Sequence, residues 1–139
     1  QDSVAKYGII ILDKEITFSI DLNTSNDIEF SIKVKNDEES NDDLTIKKLL
    51  CLIFASALAE TYVQKRLIKF VAFDSPFDGD KNCYEDGIYS AIHELNRKGI
   101  QTIITSNENV IHNSKNLLEI KNEFMTGYLS NDDKLMGDF

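Results

Sequence analysis

Long apolar runs are missing from this chain of 139 residues: none approaches the ~20 needed to cross a bilayer. No basic start followed by an apolar core and a cleavage site marks a signal peptide. Both absences lead to the expectation of a cytoplasmic chain without a membrane partner. Cysteine is sparse, and Cys51 and Cys83 lack the paired spacing of a zinc site or a disulfide framework, so packing in their helices is expected of both. Basic residues are outnumbered, 15 against 24 acidic ones, and a net charge of -9 repels a phosphate backbone. Contact with DNA is therefore expected only through other regions of a larger protein. Internal repeats, low-complexity segments and coiled-coil heptads are absent as well. The six glycines include no GxxxxGK[ST] pattern, so no loop here can cradle the α- and β-phosphates of a nucleotide unaided.

What remains is an ordinary globular composition, 42% hydrophobic and 28% charged, which suits one packed domain over residues 1–139. The chain opens on Gln1, and its first apolar run, residues 7–12, reads as a sheet already under way. A fragment or a processed chain is the expectation. Residues 15–22 (EITFSIDL) alternate apolar Ile16, Phe18, Ile20 and Leu22 with polar neighbours, as a strand with one buried face does, and residues 28–35 (IEFSIKVK) repeat the pattern. The turn-forming cluster at residues 23–27 (NTSND) joins them into a β-hairpin.

A polar, acidic loop over residues 36–43 (NDEESNDD) follows, with Asp42 or Asp43 as helix cap. The helix is expected over residues 44–65, because Ile46, Leu49, Leu50, Ile53, Ala57 and Leu58 recur at three- and four-residue spacing, with Leu52, Phe54 and Ala55 widening the stripe. Residues 67–73 (LIKFVAF) are nearly free of charge and suit a central strand covered on both faces. A second helix over residues 82–98 shows Tyr84, Ile88, Ala91, Ile92 and Leu95 on one face, with Gly99 as C-cap. Residues 100–105 (IQTIIT) form another apolar strand, so strand, helix and strand make a βαβ unit with parallel pairing and a right-handed crossover. In the tail, residues 117–121 (LLEIK) and 123–129 (EFMTGYL) offer a further strand pattern.

Ligands of an open parallel sheet gather at the carboxyl ends of its strands, and Asp74 stands where FVAF ends. An apolar strand ending in aspartate is the physical form of a Walker B element, whose carboxylate holds Mg²⁺ and its waters beside a phosphate. A strand-end aspartate also serves as a plain turn or cap through nearby backbone amides. Asp74, Asp78 and Asp80 form a third possibility, a carboxylate cluster for Mg²⁺ or Ca²⁺. His93 is expected to point away from the apolar face of its helix, and His112 lies in a loop without a clustered Cys, Asp or Glu at ligand spacing, so both read as surface residues.

FVAFDSPFDGDKN, a helix, and then GIQTIITSNEN resemble, in order and spacing, the Walker B, D-loop, helix and switch-strand series of ABC ATPases. DLTIKKLLCLIFASALAETY, IITSNEN and KLMGDF are similar to the uncharacterised domain at the C termini of bacterial SMC-like and RecN-like proteins, over about residues 15–139. The resemblance implies an α/β fold, with the hairpin and helix leading into the parallel core as the C-terminal half of a P-loop head. It implies ATP and Mg²⁺ as cofactors once the Walker A lobe of the same protein is joined, and a second head as partner in a homodimer.

Residue by residue, the resemblance makes Asp74 the Mg²⁺ ligand and places Asp78, Gly79 and Asp80 with Lys81 in the D-loop, where the match to Leu-Asp needs a one-residue shift. Ser40 resembles the signature serine facing the partner's nucleotide, although Asp42 replaces the expected glycine and opposes a phosphate by like charge. Ser75 stands where the family puts the glutamate that polarises water, and a serine hydroxyl is no base at neutral pH. Asn107 falls at the switch histidine, where an amide can bond a γ-phosphate without exchanging a proton. The expected function is a head half that binds Mg-ATP only with its Walker A lobe and acts in bacterial DNA maintenance or in defence against phage and plasmids. The alternative is a non-catalytic interaction module whose ATPase features have decayed.

Overall fold

The first apolar run is a helix. In the computed structural model, which describes residues 2–37, 43–65, 69–77 and 84–106, α1 spans Asp2–Leu12. Its buried residues Val4, Tyr7, Gly8, Ile11 and Leu12 recur at the spacing of one helical face. The β-branched run at residues 9–11 favours a strand locally. Packing of the whole face against two later helices and β1 outweighs that propensity. The sheet expected to be under way at residues 7–12 is therefore corrected to a helix that closes the core.

β1 (Ile16–Leu22) and β2 (Ile28–Val34) pair antiparallel, with Ile16 opposite Val34, Phe18 opposite Ile32, Ile20 opposite Phe30 and Leu22 opposite Ile28. Their turn closes as expected: the Asn23 side-chain carbonyl accepts from the backbone N–H groups of Ser25 and Asp27, both at 2.9 Å, and Asn26 takes a left-handed φ of 61°. The apolar face is buried only at its base. Ile16 and Val34 lie in the core, whereas Ile20, Leu22, Ile28 and Phe30 are 59–70% exposed. Phe18 bridges the two zones, its ring 5.3 Å from that of Phe54 on the next helix.

That helix, α2, spans Leu44–Tyr62 and runs on into a 3-10 turn, Val63–Lys65. Asp43 is its cap, accepting from the Thr45 N–H at 2.7 Å. Ile46, Leu49, Leu50, Leu52, Ile53, Ser56 and Ala57 are buried. Cys51 is exposed, not packed, and Leu58 is 42% exposed, so both stand outside the stripe that does the packing.

The βαβ expectation holds in its pairing: β3 (Phe70–Asp74) and β4 (Gln101–Thr105) are parallel, with α3 (Glu85–Arg97) between them in sequence. Ile88, Ala91, Ile92 and Leu95 are the buried face of α3. Gly99, at φ 74°, ends the helix; its N–H bonds Asn96 O at 2.8 Å, and the Ile100 N–H bonds Leu95 O at 3.0 Å, the two bonds of a Schellman motif. His93 is half-buried with its ring against Tyr89, rather than a free surface residue.

The core lies where α1, α2 and α3 meet. Tyr7, Ile53, Ala91 and Leu95 are completely buried there. Gly87 lets two backbones touch, since a Cβ on it would lie 2.5 Å from Ile11 O and 2.8 Å from Ile10 O. Lys6 ties the three helices, its Nζ 2.8 Å from Glu60 and 2.7 Å from Glu94. Lys98 adds a contact to Glu60 at 3.2 Å, and Arg97 holds Glu94 at 2.8 Å. Among the described residues no helix is long and apolar enough to cross a membrane.

Candidate strand-end site

Alternation along β3 and β4 divides their residues between two faces. Val71, Phe73, Thr102 and Ile104 are buried or half-buried on the side where α2 and α3 pack. Phe70, Ala72 and Asp74, with Gln101, Ile103 and Thr105, form the other face and are all exposed. The central strand was expected to be covered on both sides; in this chain Phe70 is 51% and Ile103 46% exposed. Asp74 and Thr105 are paired across the ladder at the carboxyl ends, on the open face.

Their side chains meet. Thr105 Oγ1 donates to Asp74 Oδ1 at 2.5 Å, and Ser75 Oγ stands 3.4 Å from the same oxygen. The Ser75 N–H is shared between Thr105 O and Thr105 Oγ1, each at 3.1 Å. These bonds hold Ser75 in a left-handed conformation, φ 47°, an uncommon state for a residue other than glycine. The backbone therefore turns sharply out of β3 directly after the carboxylate. The Thr105 and Ser75 hydroxyl bonds both go to Asp74 Oδ1; among the described residues none is found to Oδ2, and Asp74 is exposed as a residue. At the end of β4, the Ser106 hydroxyl is buried without a partner among the described residues.

Of the residues singled out in the sequence, the structure brings Asp74 and Ser75 together at one strand end. Ser40, Asp42, Asp78, Gly79, Asp80, Lys81, Cys83, Asn107, His112 and the strand-like stretches at 117–121 and 123–129 lie outside the described residues. The carboxylate cluster of Asp74, Asp78 and Asp80 rests on two of those positions. Among the described residues no three His, Cys, Asp or Glu groups converge as a metal site.

Thr105 matches no motif position of the resemblance, whose switch position falls two residues later at Asn107. Its signal lies in the register: FVAFD and QTIIT are strands of equal length, and their parallel pairing sets Thr105 opposite the carboxylate.

Shifted ionisation occurs at the base of the hairpin, where bonds to Asp37 and Glu15 raise the pKa values of Lys14 and Lys35 and Lys35 lowers that of Glu15, and in the helical cluster. Arg97 first and Lys6 second hold the Glu94 carboxyl down at about 2. Burial works against ionisation of Glu60, but hydrogen bonding led by Lys6 overrides it and lowers its pKa. Burial pushes the Tyr7 phenol well above its usual range, and the nearby Glu60 and Glu94 charges add to that. This cluster joins three helices, and its ion pairs hold them together. A separate open depression of about 380 Å³ lies beside the base of the hairpin, lined by Lys14, Glu15, Val34, Lys35, Asn36 and Asp37. Its lysines are engaged, Lys14 with Asp37 at 2.7 Å and Lys35 with Glu15 at 2.6 Å.

Comparison with protein-family models, with curated proteins and with solved structures gave no match, so residues and geometry alone carry the functional reading.

Proposed function

We propose that this chain is the C-terminal half of an SMC-like ABC ATPase head, which binds Mg-ATP only when joined to a Walker A lobe and uses nucleotide to pair with a second head. The open face of the parallel strands carries this reading: exposed Phe70 and Ile103 lead to Asp74 and Thr105 at the carboxyl ends. All-parallel sheets normally have both faces covered, and unpaired strand edges invite further strands. Among the described residues this sheet has two strands and helices on one side. A lobe supplying strands and a phosphate loop would complete both the sheet and the site, and the missing GxxxxGK[ST] fits that division of labour.

In the proposed head Asp74 holds Mg²⁺ through water. Magnesium keeps several waters and takes one or two carboxylates plus phosphate oxygens, so one exposed carboxylate suffices from this side. The ion, when bound, supplies positive charge to the phosphate oxygens. Ser75 cannot polarise water as a glutamate would, so turnover is slow and ATP acts chiefly as dimer glue. Asn107 senses the γ-phosphate by hydrogen bonding, Ser40 approaches the partner head's nucleotide, and Asp78, Gly79 and Asp80 communicate across the dimer. Bacterial DNA maintenance or defence against phage and plasmids is the proposed setting, with DNA contacted by other regions.

A second reading is favoured by one observation: the Thr105 hydroxyl already satisfies Asp74, as a purely structural strand end would require. On that reading the chain is an interaction module in which Asp42, Ser75 and Asn107 mark decayed chemistry. Calorimetry of Mg-ATP binding to the chain joined to its natural Walker A lobe separates the two, with Asp74→Asn alongside and hydrolysis followed in the same sample. Binding that is weakened in the variant supports the head; no binding by the joined protein leaves the structural module.

A further inference from the structure

We infer that Thr105 is a positioning residue for the metal-binding carboxylate, aligning Asp74 for Mg²⁺ by donating its hydroxyl proton to Oδ1, so that Oδ2 is the oxygen left for the ion's shell. The inference rests on the proposed nucleotide reading and assigns to β4 a role that the switch position Asn107 does not cover.

Thr105 Oγ1 has one proton and two lone pairs. Its proton goes to Asp74 Oδ1, and a lone pair accepts from the Ser75 N–H at 3.1 Å. The hydroxyl is thus held from both directions, so its proton cannot rotate away from the carboxylate without losing a bond. The Thr105 carbonyl accepts from the same N–H, which fixes the backbone on either side of the hydroxyl. Threonine is stiff at χ1, and its strand position leaves little alternative orientation.

A carboxylate on an exposed strand end otherwise rotates about two side-chain torsions. Freezing one oxygen on β4 selects the other to hold the ion's bound water, as outer partners orient the groups around metal sites elsewhere. The arrangement also links the two strand ends mechanically: any shift of β4 along β3 changes the direction in which Asp74 faces. Ser75 Oγ is a weaker helper at 3.4 Å and does not replace the shorter bond.

The test uses the chain joined to its Walker A lobe and titrates Mg²⁺ at fixed ATP, with metal-free ATP affinity measured separately. Wild type, Thr105→Val, Thr105→Ser and Asp74→Asn are compared, each checked for a native thermal transition. The Mg²⁺ concentration for half-maximal response should rise about tenfold in Thr105→Val, the usual size for losing an outer partner of a metal ligand. Metal-free affinity should stay unchanged in that variant, and Thr105→Ser, which keeps the donor, should return to wild type. An Asp74→Asn head with wild-type Mg²⁺ dependence overturns the nucleotide reading itself. If Asp74→Asn loses the Mg²⁺ response while Thr105→Val keeps it, the positioning role alone is overturned. Equal weakening of metal-free and Mg²⁺-dependent binding in Thr105→Val, or no rescue by serine, also overturns it by making Thr105 merely structural.

Discussion

The two sides of the β3–β4 pair are built on opposite principles. On one side α2 and α3 pack against the strands and α1 packs against those two helices, with Phe73, Ile53 and Leu95 buried and Lys6 reaching Glu60 and Glu94 in the other helices. On the other, Phe70 and Ile103 face outward beside Asp74 and Thr105. The closed side holds the perturbed charges and the tightest backbone approach, while the open side holds the carboxylate at the strand end. The contrast teaches that strong electrostatics need not mark a functional site: here they mark the seam between helices, where ion pairs hold elements together.

The sharpest way to break the contrast is on the closed side. Leu95 is fully buried, so Leu95→Ala should cost about 4 kcal/mol, read as a lower urea midpoint at unchanged slope. Gly87→Ala comes next, at about 2–3 kcal/mol, because the added Cβ meets the carbonyls of Ile10 and Ile11, which cannot move without shifting α1. Glu94→Gln should cost about 1 kcal/mol near neutral pH, the Arg97 part being discounted because that side chain is 70% exposed.

Acid sharpens the same comparison. The folded-state value of Glu94, about 2, lies below its ordinary 4.5. Its stabilisation is therefore fully present above about pH 4.5 and is lost as the pH falls toward 2. Acid unfolding of Glu94→Gln should be flatter across that window than that of the parent chain, and an unchanged slope would remove the charge cluster from the account. The smallest effect belongs to the open side: Ile103→Ser, at an exposed position, should change the stability of the isolated chain by less than about 0.5 kcal/mol.

Much of the closed side was legible in the sequence. The spacing of Ile46, Leu49, Leu50 and Ile53 defined α2, Asp43 was one of two expected caps, and Gly99 does end α3. The hairpin was legible because alternation and the Asn23 turn agree. α1 was not, because the three isoleucines at residues 9–11 imitate a strand, and the decisive evidence is tertiary: Tyr7 is buried beside Glu60 and Glu94, and the Ile10 and Ile11 carbonyls face Gly87. Cys51 was misjudged for a related reason, since residence in a helix does not say which face meets the core. At the site, Asp74 followed from strand-end logic. Thr105 required the register of β3 against β4, which no single strand contains.

The most direct measurement follows backbone amide shifts of isotope-labelled chain as Mg-ATP, the Walker A lobe, and then both are added. The account predicts that Mg-ATP alone leaves the resonances of Asp74, Ser75 and Thr105 in place, and that the lobe shifts Phe70 and Ile103. Both together should move the strand-end residues, an effect reduced by Asp74→Asn. Shifts confined to the hairpin or the helical side, or no response of Asp74 and Thr105 to the combination, would contradict the claim that this strand end is half of a nucleotide site.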